Sequence, residues 1–297
     1  MKEIRTCPIC QGHDFTPIAE TKDFTITQQT FSVIQCLNCS LGITSPQPPE
    51  SELDQYYQSD DYISHTERNV SIFDSLYRQA RNYTLRWKHE LIRTTSPANT
   101  LLDFGCGTGE FLEFMQHRGY IVKGVEPSEK ARTLAIRKLS IHNIYPSLEE
   151  VNSQFANITL WHVLEHIPDL NQTIEHLKSL LTPDGTIFIA VPNLNSWDSK
   201  HYKNFWAAYD TPRHLWHFTQ QSIPTLLKKH RLRLIGTKPM KLDAFYVSLL
   251  SEKYLNSRKH SIGGTINAIA NGARSNLSAQ KTGEYSSLIY IVRNEHQ

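Results

Sequence analysis

An α/β fold built on a doubly wound parallel sheet is expected from three observations. Strand-like and helix-like segments alternate regularly between residues 101 and 191. A turn carrying three glycines follows the first of those strands, and glycine or proline punctuates the later boundaries. The chain of 297 residues is 39% hydrophobic and 20% charged, enough to bury a sizeable core and incompatible with wholesale disorder.

Ahead of the alternation, Cys7, Cys10, Cys36 and Cys39 form two Cys-x-x-Cys pairs. Residues 1–10 lack the apolar run of an export signal, so a reducing, cytoplasmic setting is expected and disulfides are disfavoured. Two thiolate pairs can supply the four soft ligands of a structural Zn2+, at roughly 2.3 Å each. The bland alternative is uncoordinated or redox thiols. Four cysteines would leave no open position for water, which argues against a catalytic zinc. Residues 25–27 and 31–34 alternate enough to form a hairpin between the pairs. The reading is a small zinc-ribbon-like module over residues 1–48, too short for much core and held largely by its metal.

A proline-rich joint at residues 45–49 ends that module, and 49–96 reads as a helical linker or cap. There Phe73, Leu76, Tyr77, Ala80, Tyr83, Trp87 and Leu91 follow steps of three and four, the stripe of a packing helix that Ser96 and Pro97 terminate. The main domain then covers 97–297. Residues 101–104 read as a buried strand, and Phe111, Leu112 and Met115 mark a helix that Gly119 stops. Residues 120–125 form a second strand, followed by a helix that Ser128 caps. A third strand lies at 158–163, Asn171 opens a helix, and residues 183–185 turn into a strand at 186–191.

The glycine turn carries the chemistry. Asp103 precedes Gly105, Cys106, Gly107 and Gly109, so bare backbone and the start of a helix face any ligand there. A dinucleotide fingerprint would read Gly-x-Gly-x-x-Gly, whereas Glu110 follows Gly109 and would repel a pyrophosphate. Asp103 can accept from an ammonium group. Glu126, at the end of the second strand, can accept two ribose hydroxyls. A zwitterionic amino acid joined through a sulfonium to adenosine meets those demands.

The tracts 103–109, Glu126-Pro127-Ser128 and Trp161-His162-Val163-Leu164-Glu165-His166-Ile167-Pro168-Asp169 resemble a class I S-adenosylmethionine-dependent methyltransferase. The Leu-Glu-His tract and residues 180–186 are similar to the broad group containing quinone and sugar methyltransferases. The resemblance covers roughly residues 80 to 295 and implies a Rossmann-like sheet of seven strands whose last runs antiparallel. Residues 286–292, hairpinned with 232–240, can supply that strand. The resemblance also implies that His162 and Val163 lie near the adenine and the methionine end. Otherwise, His162 is simply a polar residue at a strand terminus, and His166 belongs to a loop or cap. An N-terminal two-knuckle module before such a domain is similar to the layout of some sugar C-methyltransferases.

An activated sulfonium asks the protein to align the partners and exclude water, and a hydroxyl or acidic-carbon acceptor benefits from a general base. Residues 197–218 form an aromatic cap with three of the five tryptophans, and Trp206, Tyr209, Asp210, Arg213 and His217 there are candidate substrate contacts. His214, with an unperturbed pKa of ~6.5, is the candidate base. The alternative is a cap that fills core around an Asp210–Arg213 ion pair. Residues 255–284 read as an ordinary insert between hairpin strands.

The expected function is methyl transfer to a small-molecule acceptor, a sugar or other cell-envelope intermediate, on oxygen or carbon. A non-catalytic zinc-knuckle binding protein, an RNA methyltransferase and an NAD-dependent oxidoreductase are the alternatives. A formal charge of +2 with no basic run gives no reason to expect nucleic acid, and no apolar run approaches the ~20 residues that span a bilayer.

Overall fold

A computed structural model describes residues 1–57, 72–256 and 262–295, except the side chains of 54 and 72–78. Phe73, Leu76 and Tyr77 of the expected stripe therefore lie within a described helix, Ile72–Thr95, but their side chains lie outside the described residues. The chain forms two compact units. The first comprises 1–59, 164–171 and 190–290; the second comprises 60–163, 172–189 and 291–297.

The strands in chain order are β1 (Phe15–Lys22), β2 (Thr30–Cys36), β3 (Gly42–Thr44), β4 (Thr100–Phe104), β5 (Ile121–Val125), β6 (Ile144–Tyr145), β7 (Phe155–Trp161), β8 (Leu181–Pro192), β9 (Trp216–His217), β10 (Leu232–Pro239) and β11 (Ser287–Asn294). The larger sheet has seven strands in the order β10-β11-β8-β7-β4-β5-β6. It is mostly parallel with an antiparallel last strand, as the resemblance implies. β4 pairs in parallel with both β5 and β7, so the glycine turn leaves the sheet from a central strand. Central position explains composition: β7 is buried through its first six residues, and Ile187 to Val191 of β8 are fully buried. Strands covered on both faces read as continuous apolar runs, not as an alternation.

In the second unit the helix Glu110–Gln116 buries Phe111, Leu112 and Met115, and the helix Glu129–Leu139 starts where the Ser128 hydroxyl accepts from the Ala131 amide. β7 begins and ends earlier than the sequence reading places it. It stops at Trp161 because His162 turns to φ 57°, a left-handed conformation that leaves the ladder.

In the first unit β1 and β2 form a hairpin between the cysteine pairs, but residues 25–27, read as its first strand, lie in the turn and Phe15–Lys22 takes that place; β3 and β9 extend it into a four-stranded sheet. Residues 1–48 thus share a sheet with residues of the aromatic cap, which supplies a partner to an edge that would otherwise be left open. Between β10 and β11 stand two helices, Asp243–Leu255 and Ile262–Thr282, where the sequence suggested an insertion of loose helical spacing. Residues 257–261 of that insert lie outside the described residues.

Gly124 on β5 shows how tightly the second unit packs around the turn. A Cβ there would sit 2.6 Å from Leu112 Cδ1 and 2.7 Å from Cys106 Sγ, both buried. Gly124→Ala should therefore destabilise the protein by about 1–3 kcal/mol, the usual cost of overpacking, read as a lower urea midpoint at unchanged slope. An unchanged midpoint would mean that this packing relaxes freely.

Candidate functional site

Three clusters carry the candidate chemistry. The first is the cysteine cluster. Cys7 and Cys36 open matching turns: Gln11 N–H donates to the Cys7 carbonyl at 3.0 Å, and Ser40 N–H to the Cys36 carbonyl at 2.9 Å. The residue after each second cysteine, Gln11 or Ser40, has φ 61°. The two knuckles are thus near-copies of one backbone shape. Cys7 Sγ lies 3.5 Å from Cys39 Sγ, Cys10 Sγ 3.5 Å from Cys36 Sγ, and all four sulfurs lie within 4.8 Å of one another. A tetrahedron of thiolates 2.3 Å from a central zinc has edges of roughly 3.8 Å, so the donor set fits that ion.

The second cluster is the glycine turn. β4 ends at Phe104, and both Gly105 and Cys106 amides donate to the Val125 carbonyl, at 2.8 and 3.0 Å. Gly105 has φ 77°, and a Cβ on it would meet Val163 Cγ2 at 2.5 Å. Gly107, at φ 55°, would present its Cβ to open space, so bare backbone faces outward there. Gly109 precedes the helix Glu110–Gln116 without a side-chain cap, which leaves amide donors at the helix start. Cys106 points inward and is buried, and burial pushes its thiol well above the ordinary range.

Two acids bound this turn. Glu126 accepts the Gly107 amide on Oε2 at 2.8 Å and the Ser128 amide on Oε1 at 2.9 Å. Burial raises its pKa, and those two amides together with Arg132 work in the opposite direction. Arg132 also donates to the Glu126 and Pro127 carbonyls, fixing the backbone. Asp103 is 3% exposed and accepts from the Thr159 hydroxyl at 2.6 Å. Burial pushes it up to about 7, against the Thr159 bond and the charge of Lys88, while Glu126 adds to the rise.

Sequence reasoning did not foresee three neighbours. Thr159 sits on β7, across the sheet from Asp103. Lys88, from the helix Ile72–Thr95, lies 4.0 Å from the ring centroid of Trp161, a cation–π distance. The indole N–H of Trp161 is buried with no partner among the described residues. No sequence pattern announces pairs brought together only by strand order. Glu110, read as an obstacle to pyrophosphate, pairs instead with Arg81 at 2.6 Å and Lys138 at 3.6 Å, which offset its charge.

The third cluster lies in the first unit. Arg213 is 1% exposed. It donates to both oxygens of Asp210 at 3.0 and 2.6 Å, to Asp23 Oδ1 at 3.1 Å, to the Thr25 hydroxyl at 3.0 Å and to the Tyr56 carbonyl at 2.9 Å. All three guanidinium nitrogens are thus engaged within the chain, and the arrangement knits residues 23, 25, 56 and 210 together. Burial opposes the charge of Asp210, but the Arg213 guanidinium outweighs it and holds that carboxyl down to about 2.

Next to this ion pair, His214 Nδ1 lies 2.8 Å from the Ala208 carbonyl, so Nδ1 carries a proton, and Nε2 lies 3.9 Å from Asp210 Oδ2. Its ring packs edge-on against His166 at 4.5 Å. Burial, with help from His214, pulls His166 down to about 4. Glu165, His166 and His214 bring donor atoms within 4.8 Å of one another. His217 Nε2 lies 3.0 Å from the Thr44 hydroxyl, which donates to the His214 carbonyl, and burial pulls His217 down to about 3. Trp206 donates its indole N–H to Asp198 at 2.8 Å, and Tyr209 packs edge-on against Trp206 and His217.

Comparison with known proteins places the chain in a family whose matched stretch includes the second cluster. The family described as a methyltransferase domain matches residues 76–235. A ubiquinone biosynthesis O-methyltransferase of Haemophilus ducreyi is 36% identical over a stretch covering 31% of this chain and 45% of that protein. Its counterpart in Actinobacillus pleuropneumoniae is 38% identical over the same shares. The chain thus spans less than half the length of these curated relatives. A solved structure described as a sarcosine dimethylglycine methyltransferase from Galdieria sulphuraria matches with a TM-score of 0.51 at 16% identity, over 73% of this chain and 88% of that one; the likeness is one of fold.

The sulfur geometry makes a direct prediction. Purified protein should carry about one zinc per chain by elemental analysis. Cys36→Ser or prolonged chelation should remove the metal and lower the melting temperature, since the short cysteine segment has little core of its own. Full-length protein that holds no zinc and melts identically in chelator would refute the assignment.

Proposed function

Since the chain belongs to the methyltransferase-domain family, we propose that it transfers a methyl group from S-adenosylmethionine to a small-molecule acceptor. The observation that supports this most is the turn 105–109 between buried Asp103 and half-buried Glu126. Asp103 would hold the donor's cationic amino-acid end and Glu126 its ribose hydroxyls. Gly105, Cys106, Gly107 and Gly109 would lend backbone, with Pro127, His162 and Val163 beside the adenine and the methionine. When bound, the donor supplies an electrophilic methyl on sulfonium. The chain's part is to fix that cation, exclude water and accept a proton from the acceptor.

Oxygen is the favoured acceptor atom, because the curated relatives are named O-methyltransferases. A hydroxyl on a sugar or another cell-envelope intermediate remains the substrate class we favour. His214 is the proposed base, since its Nδ1–H is held by a carbonyl, which leaves Nε2, 3.9 Å from Asp210 Oδ2, as the atom that would take the proton. Trp206, Tyr209, Asp210, Arg213 and His217 would shape and brace the surroundings of that base. A structural zinc at Cys7, Cys10, Cys36 and Cys39 would hold the N-terminal hairpin. Mass spectrometry of an extract given protein and labelled donor tests this reading. A metabolite that gains the label supports it; donor binding without any transfer would favour a non-catalytic binder.

Two predictions follow from the same groups. A cationic donor needs Asp103 ionised, and a carboxyl raised to about 7 is mostly protonated at pH 6. The free protein gains stability from that protonated form and loses it as pH rises through 7, whereas donor affinity rises. Calorimetry should give roughly tenfold tighter donor binding at pH 8 than at pH 6, and Asp103→Asn should flatten the profile. Equal affinity at both values would detach Asp103 from the donor. Separately, His214→Ala should cut turnover about 100-fold or more with donor affinity kept. Unaltered turnover would remove His214 from the chemistry.

A further inference from the structure

The helix Ile262–Thr282 is amphipathic in the wrong sense for a soluble protein. Its inward face consists of small and polar residues: Gly264, Ala268, Asn271, Gly272, Ser275 and Ala279 are buried. That face is satisfied. Asn271 Nδ2 donates to the Tyr202 hydroxyl at 3.0 Å and to Glu252 Oε1 at 3.2 Å, and the Ser275 hydroxyl donates to Asp198 at 2.7 Å. Gly272 lets the helix press onto Phe245, where a Cβ would come within 2.6 Å of the ring.

The large apolar residues are therefore turned outward. Ile262, Ile266, Ile269 and Leu277 follow steps of four, three and eight, which place them on one stripe at the ~100° advance per residue of a helix. They are 59% to 84% exposed. Among the described residues nothing covers them. Leu242 is exposed beside the carboxy-terminal half, where Asn276 donates to the Lys241 carbonyl at 2.9 Å.

Charge decides among occupants. The helix has no carboxylate, and its Arg274 and Lys281 are exposed along one border of the stripe, with exposed Lys241 close to Asn276. Asp243 stands near Lys241, and Glu252 is buried on the other side, bonded to Asn271. A second copy laid on this face by a two-fold axis would bring like cations together with no acid on either helix to answer them. Apolar side chains flanked by cations match the boundary between acyl chains and anionic headgroups. We propose that the stripe Ile262, Ile266, Ile269 and Leu277, bordered by Lys241, Arg274 and Lys281, docks the protein on an anionic lipid surface. The helix would lie in the interface plane. No helix among the described residues is long and apolar enough to cross a membrane, so the contact is peripheral.

Flotation of the full chain with vesicles tests this. Protein should rise with vesicles of mixed phosphatidylcholine and phosphatidylglycerol, roughly tenfold less with phosphatidylcholine alone, and less in high salt. Ile266→Asp with Ile269→Asp should reduce flotation roughly tenfold or more at an unchanged melting temperature, because both positions are solvent-facing. Arg274→Gln with Lys281→Gln should erase the preference for anionic vesicles, a readout independent of whether the aspartate variant folds. Folded wild-type protein that stays in solution with both vesicle sets would overturn the proposal. So would a dimer by sedimentation that Ile266→Asp dissociates, since that assigns the face to a second copy. Neither result bears on donor binding or methyl transfer.

Discussion

A carboxyl group sealed at the end of a central strand, with a hydroxyl as its hydrogen-bond partner, governs the chemistry of the second unit. Removing Asp103 from water disfavours its charge, and the Thr159 bond recovers only part of that cost. In the proposed site, a cation beside Asp103 would recover that energy. Around this acid the backbone is already set: Val125 takes the amides of Gly105 and Cys106, and Glu126 takes those of Gly107 and Ser128. A ligand entering here meets a turn whose conformational entropy is lost before binding, which is the main way a small site gains affinity.

The first unit treats buried charge in the opposite way. There one guanidinium faces two carboxylates, and Asp210 is driven far into its ionised form. A buried pair of this kind is weak evidence for net stability, yet losing one partner would strand the others at a cost of about 3–5 kcal/mol. Its visible consequence is orientation. The turn that carries Asp210 and Arg213 also brings the Ala208 carbonyl onto His214 Nδ1, so the tautomer of His214 follows from the backbone. Asp23 achieves something similar at the far end, where it accepts the amides of Thr25, Ile26 and Thr27 and shapes the loop between β1 and β2.

Local signals were legible and pairings across the chain were not. Glycine at 105, 107 and 109, the Ser128 cap and the twin knuckles each depend on a few adjacent residues, and each appears where its pattern says. β7 lies a few residues earlier than its pattern suggests because a fully buried strand has no alternation to mark its ends; His162, a non-glycine residue at positive φ, sets the boundary. β9 is two residues long and exists only because β3 has a free edge beside it, so no periodicity could announce it. The approach of Arg213 to Asp23 spans 190 positions of sequence. The helix Ile262–Thr282 looked irregular because its apolar residues do not face the core, and a reading that expects apolar residues inside finds no coherent face.

Glu110 illustrates why the choice of ligand cannot rest on one charge at a helix start. Arg81 and Lys138 offset it, so a diphosphate at the glycine turn would not face a bare carboxylate there. In the proposed site the discrimination would fall instead on Asp103 and Glu126, which have no such guanidinium bonded to their carboxyl oxygens among the described residues. At an effective dielectric of about 20, a unit negative charge 4 Å from either acid costs about 4 kcal/mol, and a unit positive charge gains as much. Protonating both acids would relieve the repulsion, but Glu126 would then face the Gly107 and Ser128 amides, and Asp103 the Thr159 hydroxyl, that now donate to them. A ligand with its positive charge beside Asp103 and neutral hydroxyls beside Glu126 would avoid both penalties, as the proposed sulfonium nucleoside does and a pyrophosphate does not.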